Sequence, residues 1–332
     1  MLQINYERRF PLLGSDLTTE LYAYLARGVK LSIHNLVALN RSILVLDEDY
    51  FRFEEYGGIS VHGILGSDLF RRFVVKIDFR RKVITLYDPA AYTPPSGNKY
   101  HIVPLEIHRN KPYITIPTRI SDTSIQAKYL IDTGASLSLL LYTNTHPAFE
   151  LPPQYIRSKI GMGLGGYLQG FLGRIEKIQI KDIEMEGVIT NFQEVPPDID
   201  STFMNGRNGI MGNQILSRFE MTIDYINEKM YLAQEKKFRK KFQYDRSGLI
   251  LAASGLHLND FNVVDIIAGS PAEQAGIQIG DEIKVINGIP TSLMHLSDIT
   301  KRLQKRVGKK INMAIKRGDQ RLKVQFRLRD LI

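Results

Sequence analysis

The chain repeats itself, and that constrains its fold more than any other feature. Gly63-Ile64-Leu65-Gly66 matches Gly209-Ile210-Met211-Gly212. At the same offset of 146 residues, Phe73 matches Phe219, Ile77-Asp78-Phe79 matches Ile223-Asp224-Tyr225, and Leu86 matches Leu232. Identities held in one ungapped register point to two copies of one unit. Each copy runs from a glycine-bounded apolar strand through a short helical stretch into a hairpin of two short runs, so the unit is β-rich. Asp78 and Asp224 recur with the repeat, but each ends a strand before a turn, where aspartate is ordinary punctuation. Both are assigned a structural role.

Between the copies lies the stretch Tyr129–Leu141. An apolar strand delivers Asp132-Thr133-Gly134, and a second apolar run follows Ala135-Ser136. A carboxylate at the end of a buried strand is costly unless it is hydrogen-bonded or has work to do. Thr133 offers a hydroxyl beside it, and Gly134 permits a tight turn or a close approach. Downstream, Gly161–Gly170 is a glycine-dense hairpin tip. It lacks the Gly-Lys-Ser/Thr ending and the following helix of a phosphate loop, so its glycines signal mobility.

The apolar flanks of Asp132-Thr133-Gly134, the glycine-rich hairpin, and the Gly209-Ile-Met-Gly212 strand running into a short helix together resemble the aspartic peptidases, in particular the retropepsin-like family. The resemblance covers residues 1–232 and implies a mainly β fold with two acid-protease-type lobes. The boundaries expected are an N-terminally incomplete first lobe over 1–88, a linker over 89–100 and a second lobe over 101–234. It also implies a mechanism. Two carboxylates about 3 Å apart cannot both ionise, so they share a proton; the ionised one activates water and the protonated one donates to the scissile carbonyl. By resemblance Asp132 is one member, Thr133 braces the loop through its hydroxyl, Gly134 gives the close approach, and Ser136 hydrogen-bonds near the carboxylate. Gly163, Leu164, Gly165, Gly166 and Tyr167 fall in the substrate flap. The substrate is a peptide or protein, and no cofactor or metal is expected.

The repeat also takes something away. Asp132 precedes Gly209 by 77 residues, and the same count before Gly63 falls upstream of Met1. Residues 1–60 contain no Asp-Thr-Gly or Asp-Ser-Gly; Gly14-Ser15-Asp16 has the letters in the wrong order and sits where the repeat puts the first flap. Three explanations follow: a fragment, a degenerate protein, or a dimer pairing two Asp132 loops. The fragment is favoured, because a first-lobe remnant would compete for the pairing surface. The chain is then expected to hold half of a catalytic dyad and to be inactive or nearly so. The alternative is a non-catalytic peptide-binding protein on a degenerate peptidase scaffold. Residues 1–9 lack the apolar core of a signal peptide. A periplasmic or cell-envelope location is implied by the family alone.

From Lys236 onward nineteen Lys and Arg stand against nine Asp and Glu, while the rest of the chain is near balance. No aromatic-interleaved motif accompanies this charge, so a solvated face and a basic linker over 235–245 are expected, without nucleic-acid binding. No run is long enough for a membrane-spanning helix. With no cysteine, disulfides and thiolate chemistry are excluded. In residues 246–332, Ser270-Pro271-Ala272 reads as a helix cap, Gly276 as its end, Gly280-Asp281-Glu282-Ile283 as a turn into a strand, and Asn287-Gly288 as a hairpin turn. Leu296–Val307 has helical spacing. These motifs, in this order, resemble a bacterial PDZ domain, a small α+β, sandwich-like unit. That resemblance implies binding of peptide C-termini by strand addition, with a carboxylate-catching loop at Ser247, Gly248, Leu249 and Ile250.

Overall fold

The computed structural model describes residues 6–199 and 204–332. The protein is mainly β. Strands β1 (Tyr6–Leu13), β2 (Glu20–Ile33) and β3 (Leu36–Leu46) form an antiparallel meander in a sheet of their own. Two short helices follow, α1 (Phe53–Gly57) and α2 (Ser67–Phe70). The strand expected at Gly63–Gly66 does not form: Ile64 is 62% and Leu65 50% exposed. A strand exists only where its amides and carbonyls find neighbours, and among the described residues none pairs with this segment.

Next come β4 (Val74–Asp78), β5 (Val83–Tyr87), β6 (Tyr100–Pro104), β7 (Glu106–His108), β8 (Lys111–Ile120), β9 (Thr123–Ile131) and β10 (Leu139–Tyr142). They are followed by β11 (Tyr155–Gly163), β12 (Gly166–Ile180), β13 (Ile183–Gln193), β14 (Gly209–Met211), helix α3 (Asn213–Leu216), β15 (Phe219–Asp224) and β16 (Lys229–Gln234). An eight-stranded sheet runs β11-β12-β13-β10-β14-β9-β8-β7, and a five-stranded sheet runs β5-β4-β15-β16-β6. Tyr129, Leu139, Leu141, Ile178, Phe192, Met211 and Phe219 lie fully buried in one core.

The repeat is a repeat of pairing. Val75 faces Leu86 in hairpin β4–β5, and Met221 faces Leu232 in β15–β16, both partners shifted by the same 146. The two hairpins then pair with each other through β4 and β15, with Lys76 opposite Thr222, its own counterpart. A local two-fold axis therefore passes through that pair. Asp78 and Asp224 are buried and structural: Asp78 Oδ1 accepts Arg81 N at 2.8 Å and Asp224 Oδ1 accepts Asn227 N at 3.0 Å, each closing the turn of its hairpin.

The C-terminal unit has its own core. It comprises β17 (Leu249–Ser254), β18 (Asp260–Ile266), α4 (Pro271–Gln274), β19 (Glu282–Ile286), β20 (Ile289–Pro290), α5 (Leu296–Leu303), β21 (Lys310–Arg317) and β22 (Gln320–Arg327). The sheet order is β17-β18-β19-β21-β22, with β20 on β19. Ser270 caps α4 by accepting Glu273 N. Asn287 and Gly288 turn the β19–β20 hairpin at φ of 50° and 82°, the left-handed pair a two-residue hairpin demands. Asp281 is 1% exposed and accepts the Arg317 guanidinium on both oxygens at 2.7 Å. Helix α5 stops short of Val307, and Arg246 caps its end, with N–H to Leu303 O at 3.0 Å and Nη1 to Gln304 O at 2.9 Å. The basic stretch before it is tied down: Arg218 lies 3.7 Å from the Phe242 ring centre and donates to the Phe238 and Lys240 carbonyls.

Candidate functional site

Asp132 stands one residue beyond β9, and the site is built from beneath. β14 runs between β9 and β10, parallel to β9 with Met211 opposite Ile131, and antiparallel to β10 with Met211 opposite Leu139. Asp132 N donates to Met211 O at 3.0 Å, extending that ladder to the carboxylate-bearing residue. The glycines of β14 and its exit permit this closeness. A Cβ on Gly209 would overlap the Leu140 carbonyl oxygen and lie 3.2 Å from the Tyr129 ring; one on Gly212 would lie 2.8 Å from Ala135 O. Tyr129 itself is fully buried, its hydroxyl 2.9 Å from Thr118 Oγ1.

The start of α3 then straps down loop 132–138. Gly212 N donates to Ser138 O at 2.9 Å, Asn213 N to Ala135 O at 2.8 Å, and Gln214 N to Leu137 O at 3.0 Å. Side chains add to this: Asn213 Nδ2 donates to Thr133 O, Gln214 Nε2 to Ser136 O at 3.2 Å, and Ser138 Oγ to Gln214 Oε1 at 2.9 Å. Thr133 and Ser136 thus enter the network through their carbonyls. Gly134 N donates to Asp132 Oδ1 at 2.8 Å and fixes one carboxylate oxygen. Asp132 is half-buried; Thr133, Gly134 and Ser136 are exposed. Lys111 brings positive charge to the neighbourhood. Burial and Arg207 lower its ammonium pKa, while the field of Asp132 raises it.

Leu137 of this loop belongs to a small apolar cluster with Leu17, Leu140, Tyr142, Ile160 and Ile210. That cluster joins the Asp132 loop to two hairpins. In β11–β12 the tip is Leu164-Gly165, with Gly165 and Gly166 at φ of 99° and 115°. The β1–β2 tip meets it: Ser15 N donates to Leu164 O at 2.6 Å, and Leu164 N to Ser15 Oγ at 2.9 Å. The structure thereby brings Gly163, Leu164, Gly165 and Gly166 together with the tip predicted from the repeat. Tyr167 lies beyond the tip, 4.0 Å beneath Lys159 Nζ, with its ring 4.7 Å from that of Tyr56. Burial pushes its phenol pKa far up. Asp16 serves its own turn. Burial opposes its charge, but hydrogen bonds from the amides and hydroxyls of Thr18 and Thr19 hold its pKa at about 2.

Residues 263–317 match the family model of the PDZ domain. The chain carries a PDZ domain. A search of curated proteins returns no match. Among solved structures, the chain is similar to a photosystem II D1 C-terminal processing protease at 21% identity, over 27% of this chain and 25% of that one, with a TM-score of 0.25. It therefore spans about a quarter of the length of that protein. A retropepsin-like aspartic protease from Rickettsia conorii aligns at 19% identity over 41% of this chain and 90% of that one, with a TM-score of 0.28. The HtrA-type protease AlgW, solved with a decapeptide, aligns at 13% identity over 65% and 58%, with a TM-score of 0.26.

In the C-terminal unit, ahead of the matched residues, Ser247, Gly248, Leu249 and Ile250 lead into and begin β17, a strand at one edge of its sheet. Their amides are answered from within the chain. Ser247 N and Gly248 N donate to Asp245 Oδ1 at 2.7 and 3.2 Å, and Leu249 N to Ser247 Oγ at 3.2 Å. Packing around the Asp245 carboxyl raises its pKa to about 6, against the pull of those same hydrogen bonds. Three contributors were invisible in the sequence: Asn213 and Gln214, which hold the Asp132 loop, and Asp245, which fills the amide loop. Each is a polar residue of common type; Asn213 and Gln214 act on carbonyls some 80 residues away, while Asp245 acts on the amides of its near neighbours Ser247 and Gly248.

Proposed function

We propose that the chain is an aspartic-type endopeptidase scaffold, in which Asp132 supplies one carboxylate of a shared pair, joined to a PDZ domain that binds peptide C-termini. The observation that carries this reading is the strapped loop. Five hydrogen bonds donated by Gly212, Asn213 and Gln214 reach its carbonyls and Ser138 Oγ donates a sixth to Gln214, yet among the described residues Asp132 receives only one hydrogen bond on its carboxylate, from Gly134. The fold invests in holding that side chain at a strand end beside an apolar cluster and two meeting hairpins, an arrangement suited to an extended peptide.

In this mechanism the ionised carboxylate takes a proton from water as the water attacks the scissile carbonyl, and the second, protonated carboxyl donates to the carbonyl oxygen. Closure of the β11–β12 hairpin excludes solvent. The sequence has a single Asp-Thr-Gly, so the second carboxyl comes from another loop. Gly63–Gly66 is the surface on which it would pack, as loop 132–138 packs on Gly209–Gly212. The test is hydrolysis of internally quenched peptides between pH 4 and 7, with rate followed against protein concentration. Once the second carboxyl is supplied and cleavage is seen, Asp132→Asn should lower the rate by about a thousandfold, the loss of a group acting directly in proton transfer. Full activity in Asp132→Asn overturns the reading. A rate rising with the square of concentration assigns the second carboxyl to a second copy.

A second reading is favoured by the exposure of Ile64 and Leu65: a non-catalytic peptide-binding protein. It predicts peptide binding without cleavage, unchanged by Asp132→Asn.

A further inference from the structure

The edge of the PDZ sheet already has an occupant. β17 is the strand at one edge of that sheet, and α1, from far earlier in the chain, packs along it. Helix α5 packs against the same strand. Gly58 caps α1 at φ of 63°, and a Cβ there would lie 3.0 Å from the Cβ of Leu296, the first residue of α5. Segment 52–58 therefore touches both the edge strand and the helix that border the groove. At the groove's end, Asp245 occupies the amides of Ser247 and Gly248, where an incoming carboxylate would sit.

The other side of α1 faces hairpin β11–β12. The Tyr56 ring stands edge-on to Tyr167. Lys159, over the Tyr167 ring, also reaches Asp265 of β18 at 3.2 Å. Groove, helix and hairpin thus form one contiguous set of contacts. The hold on α1 is modest, because none of its residues is fully buried, and segments with few buried contacts open at low cost.

We propose that segment 52–58 is a built-in occupant of the PDZ groove and a latch between that groove and hairpin β11–β12. A chain with a free C-terminal carboxylate that adds to β17 displaces α1 and removes the Tyr56–Tyr167 contact that steadies the hairpin. The displacement half rests on the peptide-binding reading above; the latch half does not. A tethered occupant competes at high effective concentration, and an outside peptide binds only to the fraction of molecules in which the groove is open.

The experiment uses the full chain. The probes are fluorescein-labelled decapeptides with four randomised C-terminal residues, in free-acid and amidated pools. Gly58→Val, strained at its positive φ and driven against Leu296, releases the segment; Tyr56→Ala is the milder variant should Gly58→Val fail to fold. Release should tighten binding of the free-acid pool by about ten-fold or more, the tethered competitor having been removed, with no gain for the amidated pool. Backbone hydrogen exchange should speed up together in residues 249–254 and 161–169. Equal binding of the free-acid pool by parent and variants overturns the occupancy, and unchanged exchange in 161–169 while 249–254 opens overturns the latch. If no pool binds any form while both segments open together, the peptide-binding reading fails and the latch stands.

Discussion

Gly63-Ile64-Leu65-Gly66 and Gly209-Ile210-Met211-Gly212 are nearly the same four residues in two different circumstances. The second copy is a strand between two others, with Met211 fully buried and both glycines pressed against backbone carbonyls. The first is neither helix nor strand, with its apolar pair exposed; a Cβ on Gly63 would meet nothing within 4 Å, and one on Gly66 only the Asp68 side chain. Both lead into a short helix and a hairpin of the same register. The difference therefore lies outside the tetrapeptide, in whether strands like β9 and β10 flank it. Strand formation here is a property of neighbours, and the glycines matter only where something approaches.

Substitutions can break that comparison. The largest contrast is at the first glycine. Gly209→Ala forces β14 off the Leu140 carbonyl and should cost more than about 4 kcal/mol in denaturant unfolding, whereas Gly63→Ala should stay within about 0.5 kcal/mol. A comparable cost at Gly63 would mean that the first copy is covered in solution. At the third position, Met211→Ala should cost about 2–5 kcal/mol through the cavity it leaves; Leu65→Ala, half exposed, should cost far less. A smaller effect separates the hairpin tips. The β1–β2 tip depends on ionised Asp16, whose pKa is lowered to about 2. Its stabilisation is present above the ordinary aspartate range near pH 4 and is lost as pH falls through about 2. Wild type should therefore melt above Asp16→Asn at pH 5, with the gap closing toward pH 2; a constant gap would contradict the assignment. The glycine-built β11–β12 tip holds no such carboxylate.

Much of this was legible before the fold was known. The offset of 146 anticipated the matched hairpins, because pairing register follows the alternation of apolar residues. The strand-turn signals of the PDZ domain held because capping and turn chemistry are local: Ser270, Asn287 and Gly288 act within a few residues. Two things were not legible. The strand expected at 63–66 failed for want of partners, and the helix expected to reach Val307 ends at Leu303, where its carbonyl is capped by Arg246, a residue 57 positions earlier. At the site, Asp132 and its glycine neighbours were readable as a pattern, but Asn213 and Gln214 act by reaching carbonyls some 80 residues away, and no local preference encodes that.

The Lys76–Thr222 pair carries a further consequence. In a dimer of identical chains, a residue on the two-fold axis meets its own copy, so one substitution alters both sides of the contact. Here the same arrangement is written into one polypeptide, and each side can change alone. It has done so: Lys76 forms an ion pair with Glu220 at 3.1 Å, while the positions related to them by the repeat, Thr222 and Val74, cannot form one. What is geometrically a self-complementary interface has become chemically lopsided. A double-mutant cycle across Lys76 and Glu220 would read out how much of the union of the two halves now depends on only one side of its axis.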